Sequence, residues 1–194
     1  NMAFTCSAIA AVLTSKSSAD AGGLLLDVAD AALDGARGNS GAILAQFFQG
    51  LADSCAGKER VDAEALAAAF ETADEYARAA MDAPQEGTIL TVIRSVAGAL
   101  RAARDGGETD LTTLVDTGLA AARTSLEATR DGLEAMRKAG VVDAGAGGFV
   151  DLLEGIGDFL HHGSLREVPE PVIDDPELAT ALTAGDGATD IEFR

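Results

Sequence analysis

Tryptophan is absent from the 194 residues, and aromatic side chains make up only 4% of them. A core with so few rings must be built from Ala, Leu, Val and Ile with backbones close together, which favours helices packed on helices. Cysteine is scarce as well. Cys6 and Cys55 are the only two, no disulfide framework for a chain of this size; they fit a reducing compartment and the role of small buried hydrophobes. Positive charge is the third shortage, with Lys plus Arg 14 against Asp plus Glu 32 and a net charge of -18. Such a chain repels phosphate backbones and anionic membrane surfaces, so nucleic acid is not expected as a partner. No stretch approaches the roughly 18 apolar residues that a membrane span requires, and no basic segment leads into an apolar one as in a signal peptide. A cytoplasmic location follows as the expectation. Asn1 precedes Met2, so Met2 is not an ordinary initiator and native sequence upstream of Asn1 is expected.

What remains is ordinary for a globular chain: 47% hydrophobic and 24% charged residues, enough for one domain with a tail. Apolar residues recur at helical spacing almost throughout. Ile43, Leu44, Phe47, Phe48, Leu51 and Cys55 make one stripe, and Leu66, Phe70, Ala73, Ala77 and Met81 a second. Ile89, Ile93, Val96 and Leu100 make a third. Phe149, Val150, Leu152, Leu153, Ile156, Phe159 and Leu160 cover most of a helix circumference, the mark of an enclosed helix. Asp62, Asp110 and Asp131 look like N-caps, the last with Glu134 in capping-box spacing. Helices are predicted over residues 2–15, 24–36, 41–55, 63–80, 88–104, 111–124, 132–139 and 147–161. Short connections make successive helices antiparallel, so the predicted fold is all-α: an up-and-down barrel or bundle of about eight helices over residues 1–163. Residues 164–194 carry Pro169, Pro171 and Pro176 among acidic residues. They read as an acidic linker, ending in the start of a further domain.

Three glycine-rich turns stand at predicted helix starts: Gly38-Asn39-Ser40-Gly41, Glu86-Gly87-Thr88, and Asp143-Ala144-Gly145-Ala146-Gly147-Gly148. Counting helix directions puts all three at one end of the bundle, together with Asn1. Helix N-termini offer unpaired N–H groups and partial positive charge, and glycine lets a ligand approach the backbone, so the shared end is a candidate phosphate cradle. Arg37 could add a forked donor set there. No strand precedes any of these turns, which excludes a P-loop or dinucleotide fingerprint. His161 and His162 are neighbours that diverge on a helix and suit a C-terminal cap. Asp27, Asp30 and Asp34 read as a solvated face, and Ser15, Ser17 and Ser18 as loop chemistry.

The run Gly35-Ala36-Arg37-Gly38-Asn39-Ser40-Gly41-Ala42-Ile43-Leu44, then Glu86-Gly87-Thr88-Ile89-Leu90, then Gly140-Val141-Val142-Asp143-Ala144-Gly145 with Gly148-Phe149 resembles the DhaL-like nucleotide-binding domain of dihydroxyacetone kinases, as it recurs at the front of bacterial fatty acid kinases. The resemblance implies a helical barrel that binds ATP with Mg2+ at one end. Cofactor-binding residues would be Asn1, Arg37, Gly38, Asn39, Ser40, Gly41, Gly87, Thr88, Asp143, Ala144 and Gly145. Asn39 and Ser40 would meet the phosphates, Gly87 and Thr88 would line the site, and residues 143–145 would close over the sugar or base. Asn1 and Met2 match the tail of the family's Asp-Gly-Asp-Thr-Gly-Thr-Asn-Met motif. The metal-holding aspartates of that motif have no match in this chain and are expected upstream of Asn1; without them transfer should fail even if nucleotide binds. No catalytic residue is assigned. The tail favours a fatty acid kinase reading, with the acyl group presented by a carrier protein and with a homodimer formed through later domains. Dihydroxyacetone kinase-type transfer, or a non-catalytic helical scaffold, are the alternatives.

Overall fold

The computed structural model describes residues 2–15, 18, 20–132 and 134–163. Asn1 and the acidic linker at 164–194 lie outside them. Among the described residues there are eight helices and no strand: α1 Met2–Ser15, α2 Ala21–Gly35, α3 Gly38–Ser54, α4 Ala63–Ala79, α5 Ile89–Asp105, α6 Leu111–Gly132, α7 Glu134–Ala139 and α8 Ala144–His162. The expected all-α architecture is the one found.

Each helix from α1 to α6 packs on the next, and α8 closes onto α6 and α5. The α6–α8 pair shows the antiparallel sense directly. Arg123 meets Glu154 at 2.8 Å while Asp116, earlier on α6, meets His161, later on α8, at 2.9 Å. Phe47 stands at the centre of the core, edge-on to Phe48, Phe70 and Phe149 with ring centroids 5.1–5.6 Å apart. Rings of α3, α4 and α8 are thereby locked together, in edge-to-face contacts worth about 0.5–1.5 kcal/mol each beyond simple burial. Around them Ala67, Ala69, Ala73 and Ala77 of α4 are fully buried. These small side chains let α4 approach α3 so closely that a Cβ on Gly50 would lie 2.6 Å from the Ala73 Cα. Cys55 is buried and Cys6 half-buried against the same core, both as free thiols.

Several predicted boundaries require correction, among them the starts of α3 and α8, each three residues earlier than expected, at Gly38 and Ala144. α6 runs to Gly132 instead of stopping near residue 124, because Ser125 and Thr129 continue its buried face one and two turns beyond Ala122. Asp131 therefore sits inside the last turn of α6. At the other end of the chain α2 starts three residues early. Asp20 accepts from the Gly23 N–H at 2.7 Å and so caps a first turn that contains two glycines. The predicted caps at Asp62 and Asp110 are found, accepting from the Ala65 and Thr113 N–H groups at 2.8 Å each. No helix among the described residues is long and apolar enough to cross a membrane.

Candidate functional site

The starts of α3 and α5 and the residue ahead of α8 border one cavity of about 300 Å³, lined by Asn39, Ser40 and Ile43 of α3, by Met81, Ala83, Gln85 and Thr88 of the α4–α5 connection, by Ile89 and Leu90 of α5, and by Asp143. The three glycine-rich turns thus meet at one end of the bundle, as the direction count requires. The volume is at the lower end of the roughly 300–1,000 Å³ usual for small-molecule sites.

Helix capping divides these starts into two kinds. Asp20, Asp62, Asp110 and Asp143 each accept from the backbone of the helix that follows. α3 and α5 instead begin at Arg37 and Thr88 with no side-chain cap. The Thr88 hydroxyl donates to the Gln85 carbonyl at 2.7 Å, away from the helix it precedes. First-turn N–H groups have no intrahelical partner, so the start of α3 keeps donors for a ligand, while at the start of α5 the Ile89 N–H is already taken by Asp143; the positive end of each helix dipole faces the cavity.

Asp143 joins the elements around this cavity. Its Oδ1 accepts from the Ala146 N–H at 2.8 Å and from the Ile89 N–H at 3.0 Å, so one oxygen serves the N-termini of both α8 and α5. Its own N–H donates to the hydroxyl of buried Thr129 at 3.0 Å, and that hydroxyl donates to the Leu126 carbonyl at 2.7 Å. Three helices meet in this chain of bonds. Next to it Gly145 leaves room that a side chain would take: an added Cβ would lie 3.0 Å from the Ser40 Oγ and 3.3 Å from Asp143 Oδ1.

The Gly87 turn is held on two sides. Gly87 has φ +77°, a left-handed conformation that glycine adopts without strain. Its N–H donates to the Thr91 hydroxyl at 2.8 Å, which donates to Glu86 Oε2 at 2.7 Å. Arg78 and Arg94 hold the other oxygen of Glu86 at 2.7 and 3.0 Å, so the carboxylate beside the cavity is neutralised by two guanidinium groups.

The remaining candidates are distributed unevenly. Asn39, Ser40, Thr88 and Asp143 line the cavity; Gly38 and Gly41 at the start of α3, Ala144 and Gly145 at the start of α8, and Gly87 in the connection before α5 do not themselves border it. Arg37 donates to the Asp34 and Ala36 carbonyls at 3.0 and 2.7 Å, so its guanidinium finishes α2 instead of facing the cavity. Asn1 lies outside the described residues. The reading of residues missed the lining contributed by Met81, Ala83 and Gln85, because a connection without glycine gives no phosphate signal. The histidines are accounted for by surface contacts, His161 with Asp116 and His162 with the Asp158 carbonyl at 3.1 Å.

Two other polar hollows are poor anion sites. One, of about 400 Å³, is bordered by Asp62, Glu64 and Glu108 against Arg104; the other, of about 160 Å³, by Glu71, Asp74 and Glu75 against Arg94 and Arg101. In both, carboxylates outnumber cations. Among the described residues no three His, Cys, Asp or Glu side chains gather in a way that could hold a metal ion.

The family model described as DAK2 domain matches residues 1–158. Among curated proteins, the chain is 38% identical over 123 residues to Protein YloV of Bacillus subtilis (strain 168) and 38% identical over 123 residues to uncharacterized protein SERP0792 of Staphylococcus epidermidis. It is 37% identical over the same length to uncharacterized protein SAUSA300_1119 of Staphylococcus aureus (strain USA300). Each match covers 63% of this chain and 22% of the relative, so the chain spans about a fifth of the length of these proteins.

Proposed function

Since the chain belongs to the DAK2 domain family, the dihydroxyacetone kinase-like nucleotide-binding domains, we propose that it binds ATP at the α3–α5–α8 end as the nucleotide-holding part of a kinase. The observation that carries this reading is that α3 and α5, whose preceding residues Arg37 and Thr88 give no side-chain cap, both line the cavity with their first turns. In a chain of net charge -18, such a cluster of local positive ends is what an anion at contact range would select, since diffuse surface charge is screened over about 10 Å. Asn39, Ser40 and the N–H groups of the first turn of α3 would hold phosphate oxygens. Thr88 and the start of α5 would flank them, and Asp143 would keep α5 and α8 in register. Ile43, Met81 and Leu90 offer apolar surface for the base.

The chemistry supported is phosphoryl transfer by positioning and charge stabilisation, the terminal phosphoryl group passing to an acceptor oxygen while ADP leaves. Magnesium would accompany the nucleotide and offset its charge; none of its ligands is assigned to the described residues. For the acceptor we favour a fatty acid carboxylate presented by a carrier protein over free dihydroxyacetone, and we place the activity in the cytoplasm, where Cys6 and Cys55 would stay reduced.

Titration calorimetry with ATP and magnesium tests the binding. Ser40→Leu should abolish it with helicity retained, because the larger side chain projects into the lining beside Gly145; unchanged affinity would contradict the assigned site. Comparing phosphate transfer to a lipid-loaded carrier and to dihydroxyacetone, with the complete gene product, decides the acceptor.

A further inference from the structure

Opposite the Thr91–Glu86 contact, the Gly87 turn rests directly on the end of α6. A Cβ on Gly87 would lie 2.7 Å from the Gly132 Cα, and a Cβ on Gly132 would lie 2.5 Å from the Gly87 Cα. Both neighbours are backbone atoms, which cannot rotate out of the way as a side chain would. Gly132 is the last residue of α6, 45 residues beyond Gly87 in the chain, and does not border the cavity. A helical position would ordinarily gain from alanine, by up to about 1 kcal/mol in propensity. A glycine there is explained by the contact and not by the helix.

We infer that Gly132 and Thr91 are positioning residues for the nucleotide site: Gly132 sets how deeply the Gly87–Thr88 turn sits against α6, and Thr91 fixes its orientation from the other side. The inference rests on the ATP reading above and deepens it. The turn carries Thr88 and leads into Ile89 and Leu90, all of them cavity lining. Its place is defined by two glycine backbones in contact on one face, and on the other by the relay from the Gly87 N–H through the Thr91 hydroxyl to Glu86. An added methyl at 132 must push the turn outward. Loss of the hydroxyl at 91 frees the Gly87 N–H and disconnects the turn from the carboxylate that Arg78 and Arg94 hold.

The test uses the full chain, with ATP affinity from calorimetry, melting temperature from circular dichroism, and the Gly87 amide followed by NMR shift and hydrogen exchange. Wild-type ATP binding is measured first; its absence would overturn the functional reading and would be seen before any substitution is made. Gly132→Ala is expected to shift the Gly87 amide, lower its protection and weaken ATP binding by about tenfold or more, with any fall in melting temperature too small to unfold the chain at the temperature of the binding assay. Thr91→Val is expected to lower Gly87 protection and affinity in the same way, and Thr91→Ser, which keeps the hydroxyl, to restore both. An unmoved Gly87 amide or unchanged affinity in Gly132→Ala would overturn the inference. So would a Thr91→Ser as weak as Thr91→Val, or affinity that falls only in step with melting temperature, the mark of a purely structural role.

Discussion

Replacing Asp143 with alanine removes the one oxygen that serves two helix starts. The bond to the Ala146 N–H, at 2.8 Å, is a helix cap, and losing such a cap costs about 1 kcal/mol. The bond to the Ile89 N–H, at 3.0 Å, ties α8 to α5 across 54 residues of chain; it is accepted by a charged group, and losing it costs about 1.5–3 kcal/mol. Together the loss is about 2.5–4 kcal/mol. In a domain of this size each kcal/mol moves the melting temperature by about 2–4 °C, so Asp143→Ala should melt about 5–15 °C below the parent. Asp143→Asn keeps an acceptor oxygen at the same place and should lose about half as much. Circular dichroism at 222 nm, on parent and both variants at one protein concentration, measures the series. A drop of less than about 2 °C in Asp143→Ala, or Asn no better than Ala, would refute the view that this carboxylate ties the two helices.

Two more perturbations follow from the packing and the charges. Gly50→Ala brings a methyl within 2.6 Å of the Ala73 Cα; overpacking should outweigh the helix-propensity gain and destabilise by about 1–3 kcal/mol, read from the urea midpoint. Asp74 has a buried oxygen, Oδ1, without a hydrogen-bond partner among the described residues, and burial pushes its carboxyl up from the ordinary value. The folded chain therefore holds this proton more tightly than the unfolded chain. The group's stabilising contribution is complete below the unfolded pKa and is lost as pH rises through the raised folded one. Asp74→Asn should accordingly raise the melting temperature at pH 7 and lose that advantage in acid; equal effects at both pH values would contradict the assignment.

Much of the fold is written in periodicity. The stripes from Ile43 to Cys55 and from Ile89 to Leu100 specify their helices because every residue in them packs on the same core. The direction count survived the misplaced end of α6 because lengthening a helix does not change how many times the chain turns back, and α6 still ends against Gly87. Capping was only partly legible. Asp62 and Asp110 announce their helices by residue type, whereas Asp20 was hidden by the two glycines after it, and Gly22 is there because a Cβ would lie 2.6 Å from the Cys55 carbonyl oxygen. Asp131 has the right spelling for a cap, but the buried face carried on by Ser125 and Thr129 takes α6 past it, so it ends as an exposed residue inside the last turn. Within the site, the glycine turns identified the end of the bundle. They could not identify Thr129 behind Asp143 or Gly132 beneath Gly87, since contacts between residues distant in sequence leave no local pattern. Arg37 illustrates the converse. Its position beside the turn suggested a phosphate ligand, yet the nearest unpaired acceptors are the last carbonyls of α2, and its guanidinium goes there.

The most direct measurement is an NMR titration of the isotopically labelled chain with ATP. If the first turns of α3 and α5 hold the phosphates, the largest amide shifts will fall on Asn39, Ser40, Thr88 and Leu90, and they will saturate together. Shifts confined to the carboxylate-lined hollows around Glu71 or Glu108, or no saturable shifts at any ATP concentration, would contradict it.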